Sequence, residues 1–167
     1  MTKKENVVLY VMGVSGCGKT TIGKKLSEKY DIPFFDGDDY HPKKNIDKMS
    51  SGRPLNDDDR QEWLATLNAL AITQLKEETG AIIACSALKE KYRTTLTKEI
   101  ETKATFVYLQ GSFEDISNRL SKRKGHFMPA GLLQSQFEIL EEPQDAITIS
   151  IHLTPEEAVS AIGKALP

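Results

Sequence analysis

Near its start, this 167-residue chain reads Gly13-Val14-Ser15-Gly16-Cys17-Gly18-Lys19-Thr20, which matches the phosphate-binding pattern G-x-x-x-x-G-K-[ST]. The apolar run 7–12 before it is typical of a buried strand, and segment 21–26 after it is typical of a helix. Glycines let successive backbone N–H groups point at an anion, and the helix N-terminus adds a positive dipole. We therefore predict that Lys19 reaches the β- and γ-phosphates of a nucleotide and that the Thr20 hydroxyl ligates Mg²⁺. A glycine-rich turn without a ligand is the alternative.

Composition excludes several classes of function. The chain has 22 Lys and Arg against 24 Asp and Glu, a formal net charge of −2, whereas nucleic-acid-binding domains usually carry a basic excess, so we expect no nucleic-acid partner. No apolar run approaches the ~18 residues of a membrane span, so no membrane partner is expected, and no signal peptide is expected because the first predicted strand begins near residue 7. Cys17 and Cys85 are expected to be reduced, which favours a cytoplasmic protein. The length predicts a single domain, 1–167.

Strand and helix patterns alternate along the chain, which predicts an α/β fold with a parallel sheet covered by helices on both faces. The predicted strands are 7–12, 34–35, 81–85, 105–109 and 147–151. Asn56 is expected to cap a long helix that ends at Gly80, and Ser112 is expected to cap another. Further helices are predicted at 21–26, about 89–99, about 132–140 and from Thr154 onwards. The polar segment 43–53 is predicted to form a short helix and loop over the site.

Two carboxylates follow the second predicted strand. In an open α/β sheet, ligands bind at the carboxyl ends of the strands, so Asp36 and Asp38 are expected to face the phosphate loop. Phosphoryl transfer needs a metal ion and often a carboxylate that accepts the proton of the attacking hydroxyl. We therefore expect Asp36 to orient Mg²⁺ through water and Asp38 to accept the proton. A solvated acidic turn is the alternative.

A basic helix end is the second cluster. Arg119 and Arg123 are four residues apart and share one helix face, and Gly125 follows them. This pattern is typical of a mobile lid that carries an arginine finger. The alternative is a solvated basic helix end stabilised by the helix dipole.

A third group of cations follows the second and third predicted strands. Cations at a sheet edge that already binds phosphates suggest a second anion, for which a substrate carboxylate held by an arginine fork would serve. For each of them, a surface position is the alternative. The group consists of His41, Lys44, Arg53, Arg60, Lys89 and Arg93.

With these motifs, the chain resembles the gluconokinases, small P-loop sugar-acid kinases related to the shikimate and nucleoside monophosphate kinases. The resemblance extends from the first strand to Pro143, and three segments make it specific. These are His41-Pro42, Ser86-Ala87-Leu88-Lys89 and Gly125-His126-Phe127-Met128. The chain departs from the family at Gln61-Glu62, where members often carry a proline, but this change affects only a helix start.

The resemblance implies ATP- and Mg²⁺-dependent phosphorylation of D-gluconate to 6-phospho-D-gluconate. It also implies a three-layer P-loop kinase fold with a five-stranded parallel sheet of order 2-3-1-4-5, a homodimer, a mobile lid at about 119–134 and a substrate-binding helical segment at about 38–63. The implied catalytic residues are Lys19, Asp38 and Arg123, and the implied metal ligands are Thr20 and Asp36. The implied nucleotide site consists of Gly13, Val14, Ser15, Gly16, Cys17, Gly18, Lys19, Thr20, Thr21, Arg119 and Arg123. The implied substrate site consists of Asp38, His41, Arg53, Arg60, Lys89, Arg93, His126 and Gln136.

Two other readings remain open. A kinase for another small hydroxy acid such as shikimate would share the phosphate loop and the D-x-D, although shikimate kinases carry a glycine-rich turn where this chain has Ser86-Ala87-Leu88-Lys89. A GTPase-like regulator would need D-x-x-G after a strand and an N-K-x-D guanine motif, and neither is present in a suitable position.

Overall fold

The computed structural model describes residues 6–122 and 130–167, and in this part of the chain strands and helices alternate as the sequence predicts. The strands are β1 Val8–Met12, β2 Phe34–Asp36, β3 Ala81–Ala84, β4 Ala104–Gln110 and β5 Ile147–Ser150. The helices are α1 Lys19–Tyr30, α2 Lys43–Ser50, α3 Asp57–Lys76, α4 Glu90–Leu96, α5 Phe113–Lys122, α6 Ala130–Ile139 and α7 Pro155–Ala165, with a 3₁₀ turn at Gly37–Tyr40. None of the helices in the described ranges combines the length and the apolar character that a membrane span requires.

The five strands form one parallel sheet of order β2-β3-β1-β4-β5, which confirms the order that the resemblance implied. The central strand β1 pairs with β3 on one side and with β4 on the other, so that Tyr10 lies opposite both Ile83 and Phe106. All five residues of β1 are buried, whichever face they point to. Helices therefore cover both faces of the sheet, as expected for parallel strands joined by helical crossovers.

Hydrogen bonds from buried polar groups tie the helices to this core. The Tyr10 ring stacks on Phe106 at 5.2 Å between centroids, and its hydroxyl donates to the Leu96 carbonyl at 2.8 Å. Asn68 on α3 donates to the same carbonyl at 2.9 Å. These bonds satisfy polar groups that would otherwise be costly to bury. Both cysteines are free and buried, as predicted.

The long helix α3 begins where predicted and ends earlier. Asn56 and Asp59 form a capping box, in which the Asn56 side chain accepts the Asp59 N–H at 2.8 Å and the Asp59 carboxylate accepts the Asn56 N–H at 2.9 Å. The predicted end at Gly80 is wrong, because the helix ends at Lys76. Glu78 takes the left-handed conformation with φ 60°, and the Thr79 N–H bonds the Gln74 carbonyl at 3.1 Å, which is the pattern of a Schellman motif.

Smaller differences concern the other boundaries. Helix α4 is shorter than predicted, and the last strand ends one residue before the predicted Ile151. The predicted caps are confirmed: the Ser112 hydroxyl accepts the Asp115 N–H at 3.1 Å, and Thr154 and Glu157 form a capping box at the start of α7. Segment 43–53 is a helix, α2, followed by a loop, as expected.

The topology brings three segments to one edge of the sheet. The phosphate loop follows β1, the Asp36–Asp38 turn follows β2 and Ser86 follows β3. Parallel strands present their carboxyl ends together, and β1, β3 and β2 are consecutive neighbours in the sheet. The loop and the two aspartates are therefore close in space although the 12-residue helix α1 and strand β2 separate them in the chain.

We expect Gly37→Ala to destabilise the fold at this edge. A Cβ at Gly37 would lie 2.3 Å from the Ala84 carbonyl oxygen and 3.3 Å from Leu67 Cδ1. Backbone cannot yield as a flexible side chain can, so the free energy of unfolding should fall by about 1–3 kcal/mol in urea titrations. Gly131→Ala in α6 is the matched control, because its Cβ would meet no atom within 4 Å in the described chain. Equal unfolding free energies for the two variants would show that the turn adjusts at little cost.

Candidate active site

The phosphate loop connects β1 directly to α1 and takes a conformation that only glycine adopts readily. Gly13 has φ 145° and Gly16 has φ 84°. A Cβ on Gly13 would lie 2.7 Å from Cys17 Sγ and 2.9 Å from the Leu109 carbonyl oxygen, so the loop has no room for a side chain there. The curled backbone and the N-terminus of α1 together form the anion-binding cradle that the motif predicts.

Lys19 folds back over this loop. Its Nζ donates to the carbonyl oxygens of Gly13 and Val14, at 3.0 Å each. The ammonium is therefore held at the mouth of the loop, where it can transfer its hydrogen bonds to phosphate oxygens.

The two residues expected to hold Mg²⁺ are neighbours. The Thr20 hydroxyl donates to Asp36 Oδ2 at 3.5 Å, a long contact, and Asp36 Oδ1 accepts the Asp38 N–H at 3.0 Å. Residues 6–122 and 130–167 contain no group of three or more His, Cys, Asp or Glu side chains that could hold a metal by themselves. Magnesium usually takes one or two protein oxygens and completes its shell with water and substrate phosphates, so this hydroxyl and carboxylate fit the ion.

A cavity of about 230 Å³ opens beside Lys19. Its apolar wall includes Ile46, Met49, Leu55, Trp63 and Leu132. Its polar side chains come from the phosphate loop and helix α1, the turns after β2 and β3, helix α3 and helix α6, and they are Ser15, Lys19, Asp38, His41, Arg60, Ser86, Ser135 and Gln136. The structure thus brings together six of the residues predicted for the site, namely Ser15, Lys19, Asp38, His41, Arg60 and Gln136.

Asp38 is the carboxylate of this cavity. Partial burial by the surrounding protein raises its pKa above the usual range, the positive charge of Lys19 opposes that rise, and the nearby charges of Asp36 and Asp39 add to it. Water still reaches the side chain, which is 80% exposed, so the cavity walls desolvate the carboxylate only in part. A ligand that displaces this water should raise the pKa further.

His41 lies against the wall of the cavity. Its ring stacks on Trp63 at 4.0 Å between centroids with an interplanar angle of 18°, and the side chain is 4% exposed. Burial, together with the nearby positive charge of Arg60, lowers the pKa of His41 to about 4. The imidazole is therefore neutral at neutral pH.

Arg60 is the buried cation of the cavity. Its Nη1 donates to the Leu55 carbonyl at 2.7 Å and to the Tyr92 hydroxyl at 3.1 Å. The Tyr92 hydroxyl donates in turn to Asp57, which also accepts from Lys89 and Lys91. In the described part of the chain, both hydrogen bonds of the Arg60 guanidinium leave from Nη1, so its other N–H groups can bind an anion in the cavity.

Three other predicted substrate residues do not line this cavity. Arg93 donates to the carbonyls of Ala87 at 2.7 Å and Glu141 at 2.9 Å, and so joins the segment after β3 to the segment after α6. Lys89 is paired with Asp57 at 3.1 Å. Arg53 is exposed and donates to the Ser51 hydroxyl at 3.0 Å.

A second, smaller cavity of about 170 Å³ lies on the other side of the phosphate loop. Gly18, Thr21, Leu109, Arg119 and Ile149 are among the residues that line it. Arg119 on α5 donates to the Ile151 carbonyl at its edge. A mostly apolar slot beside a phosphate loop is suited to a nucleotide base.

Gln136 on α6 contacts the phosphate loop directly. Its Oε1 accepts the Ser15 backbone N–H at 2.8 Å, and its Nε2 lies 3.2 Å from the Ser15 hydroxyl.

The predicted lid, about 119–134, is described only in part, and Arg123 and His126 lie outside the described residues.

Three polar residues in or beside the cavity were not predicted as site residues: Ser86 and Ser135 line it, and Asn45 lies beside it. Asn45 on α2 is 1% exposed, and its amide nitrogen lies 3.2 Å from His41 Nδ1. The sequence signals for Asn45 were its spacing of four residues after His41 and its place in the stretch that resembles the gluconokinases. Trp63 belongs both to the core and to the wall of the cavity, because it is 2% exposed and lines the cavity.

Comparisons with known proteins agree with this geometry. A family model described as shikimate kinase matches residues 15–162. The thermosensitive gluconokinase of Escherichia coli (strain K12) is 48% identical over 85% of this chain and 78% of that protein, and the thermoresistant gluconokinase of the same strain is 40% identical over 96% and 93%. The crystal structure of a gluconokinase from Sinorhizobium meliloti 1021 superposes with a TM-score of 0.85 at 38% identity, covering 95% of this chain and 90% of that one. The chain therefore belongs to the gluconokinases, within the shikimate kinase family of P-loop kinases.

Proposed function

We propose that the protein transfers the γ-phosphate of ATP to the 6-hydroxyl of D-gluconate and releases ADP and 6-phospho-D-gluconate. The observation that carries this proposal is the cavity in which Lys19 of the phosphate loop, the Asp38 carboxylate and the buried Arg60 cation meet. A kinase for a small hydroxy acid needs a phosphate donor site, an acceptor for the hydroxyl proton and a cation for the acid group, and these three residues have those properties.

In the proposed reaction, the 6-hydroxyl attacks the γ-phosphorus. The new O–P bond forms as the bond from the γ-phosphorus to the β-phosphate oxygen breaks, and the hydroxyl proton passes to the Asp38 carboxylate. The Lys19 ammonium leaves the Gly13 and Val14 carbonyls and stabilises the charge on the transferred phosphoryl group. Thr20 and Asp36 would hold Mg²⁺, which neutralises phosphate charge when bound.

The acid group of the substrate is proposed to bind Arg60. Its guanidinium is buried, so a pairing with a carboxylate there is screened little by water. The Leu55 carbonyl and Tyr92 hydroxyl hold the guanidinium in place, which limits the side-chain entropy that binding must overcome. A neutral polyol offers no charge to this cation.

The other site assignments remain proposals. Arg119 and the cavity beside Thr21 would hold the adenine end of ATP. Arg53, Lys89, Arg93 and His126 are the remaining candidates for contacts with the substrate, and Arg123 is the candidate arginine finger. Closure of the lid, a homodimer and a cytoplasmic location stay predictions.

Lys19→Ala should lower kcat by about 10²–10³-fold, because it removes a charge that stabilises the transferred phosphoryl group. The fold should persist, with an unchanged far-ultraviolet circular dichroism spectrum. Lys24→Ala is the matched control, since Lys24 lies on the same helix with its side chain exposed. A kcat for Lys19→Ala near that of the wild type would contradict the assignment of the phosphate site.

Asp38→Asn should lower kcat by about 10²–10⁴-fold with little change in ATP affinity, because an amide keeps the shape of the carboxylate but cannot accept the proton. Asp39→Asn is the control, since Asp39 is exposed next to Asp38 and does not line the cavity. If ATP affinity collapsed while kcat at saturation stayed normal, Asp38 would be a nucleotide or metal residue instead.

Gluconate should be phosphorylated, whereas sorbitol, which lacks the carboxylate, and shikimate, which has a different shape, should not. Loss of a buried charge pair costs about 2–5 kcal/mol, so kcat/KM for gluconate should exceed that for sorbitol by a factor of at least about 30. Coupled assays of ADP formation measure both values.

The ratio of kcat/KM for gluconate to kcat/KM for sorbitol also identifies which cation binds the carboxylate of the substrate. Arg60→Met should reduce the preference for gluconate over sorbitol, and Lys89→Met should keep it, because Lys89 is paired with Asp57 away from the cavity. Comparing the two substrates within each variant removes any effect of stability on the result. The opposite pattern would place the carboxylate at Lys89.

A further inference from the structure

The orientation of the Asn45 amide is fixed by its neighbours. Its Nδ2 donates to the Asp59 backbone carbonyl at 2.8 Å, and a carbonyl oxygen can only accept. The same nitrogen lies 3.2 Å from His41 Nδ1. Because Nδ2 carries two hydrogens, it can serve both neighbours, and His41 Nδ1 must then be the acceptor.

Among the described residues, the oxygen of the Asn45 side chain lacks a hydrogen bond of the kind that its nitrogen makes. Asn45 Oδ1 is buried and has no hydrogen-bond partner in the described part of the chain. An unpartnered buried oxygen is costly, and an apolar side chain of similar size would avoid that cost. The contribution of Asn45 to this region is therefore made through its nitrogen.

The state of the His41 ring follows from this contact. A neutral imidazole that accepts at Nδ1 carries its hydrogen on Nε2. Protonation of Nδ1 would place two donors face to face, and it would also create a buried cation near Arg60. The same burial and the same charge lower the pKa of His41 to about 4.

The Nε2 atom of His41 lies on the side of the cavity that carries Asp38. Nε2 lies 3.9 Å from Asp38 Oδ1, too far for a direct hydrogen bond. Trp63, on which the ring stacks, donates from Nε1 to the Gly37 carbonyl at 2.7 Å and so fixes the ring relative to the Asp38 turn. A substrate hydroxyl between the two groups can donate to the Asp38 carboxylate and accept from Nε2–H at the same time.

We propose that Asn45 is a positioning residue that holds His41 as the neutral Nε2–H tautomer. His41 then donates a hydrogen bond to a hydroxyl of the substrate, and Asp38 alone accepts the proton of that hydroxyl. The proposal rests on the proposed function. Asn45 touches no reacting atom and acts through the His41 ring.

The tautomer can be measured without any substrate. Long-range ¹H–¹⁵N correlation spectra of the full-length protein distinguish a protonated ring nitrogen from an unprotonated one, and the signals of His41 are assigned by comparison with His41→Gln. At neutral pH we expect a protonated Nε2 and an unprotonated Nδ1. A proton on Nδ1, or an imidazolium, would overturn the proposal whether or not gluconate is the substrate.

Variants of Asn45 test its part in this arrangement. Asn45→Ala should let both tautomers of His41 form and should lower kcat with gluconate about tenfold, the effect of one lost hydrogen bond, while KM for ATP stays unchanged. Asn68→Ala is the matched control, because Asn68 is also a buried asparagine whose nitrogen donates to two backbone carbonyls, those of Leu96 and Lys98. An unchanged tautomer and an unchanged kcat in Asn45→Ala would overturn the proposal.

Substitutions of His41 give a second test that does not depend on the stability of Asn45 variants. The amide nitrogen of a glutamine can reach the position of Nε2, whereas that of an asparagine reaches only the position of Nδ1. His41→Gln should therefore retain a kcat about tenfold higher than that of His41→Asn. An equal or lower kcat in His41→Gln would contradict a donor at Nε2.

Discussion

The hydrogen bond from Trp63 Nε1 to the Gly37 carbonyl joins helix α3 to the turn that carries Asp38, and the arrangement of Asp38 and His41 beside the cavity depends on it. The indole is 2% exposed, so its N–H would be an unsatisfied buried donor without this partner. One face of the same ring supports His41, and one turn of helix earlier α3 brings Arg60 to the cavity. One buried aromatic side chain and the carbonyl it binds thus fix the imidazole relative to the turn that carries the Asp38 carboxylate, on the same helix that carries Arg60.

A network around Asp57 supports the same helix from outside. This carboxylate accepts from Lys89, Lys91 and Tyr92, and these hydrogen bonds hold its pKa well below the usual range. Asp57 lies in the first turn of α3, where its negative charge also interacts favourably with the positive end of the helix dipole. Because the Tyr92 hydroxyl also accepts a hydrogen bond from Arg60 Nη1, the network holds the guanidinium at this one nitrogen and leaves its other N–H groups for the cavity.

Much of this architecture could be predicted from local sequence. The phosphate loop has a pattern whose flanking strand and helix are visible in the chain, and the caps at Asn56, Ser112 and Thr154 follow from side-chain chemistry within three residues. The helix end at Gly80 was missed because Glu78 takes a left-handed conformation that glycine usually occupies. Local patterns indicate which residue types favour a conformation, and neighbouring hydrogen bonds can override them.

For most of the basic residues, sequence could not decide which ones line the cavity. Arg93 is bound to a carbonyl of Glu141, 48 residues away, and Lys89 to Asp57, 32 residues away, so their partners depend on the tertiary fold. Arg60 had a signal that was available, since it lies three residues before Trp63 and therefore on the buried face of α3. An arginine on the apolar face of a helix needs a buried partner or a ligand, and this position has both a partner and an open cavity beside it.

Trp63 also has an optical consequence. It is the single tryptophan of the chain, and its indole forms a wall of the cavity beside Lys19, in contact with the His41 imidazole. All tryptophan emission of the protein therefore originates at this wall, and we expect the emission to change when the proposed sugar-acid substrate replaces water beside it. Occupancy of this cavity should thus be measurable by intrinsic fluorescence, without a label and without turnover, in any variant that keeps this residue.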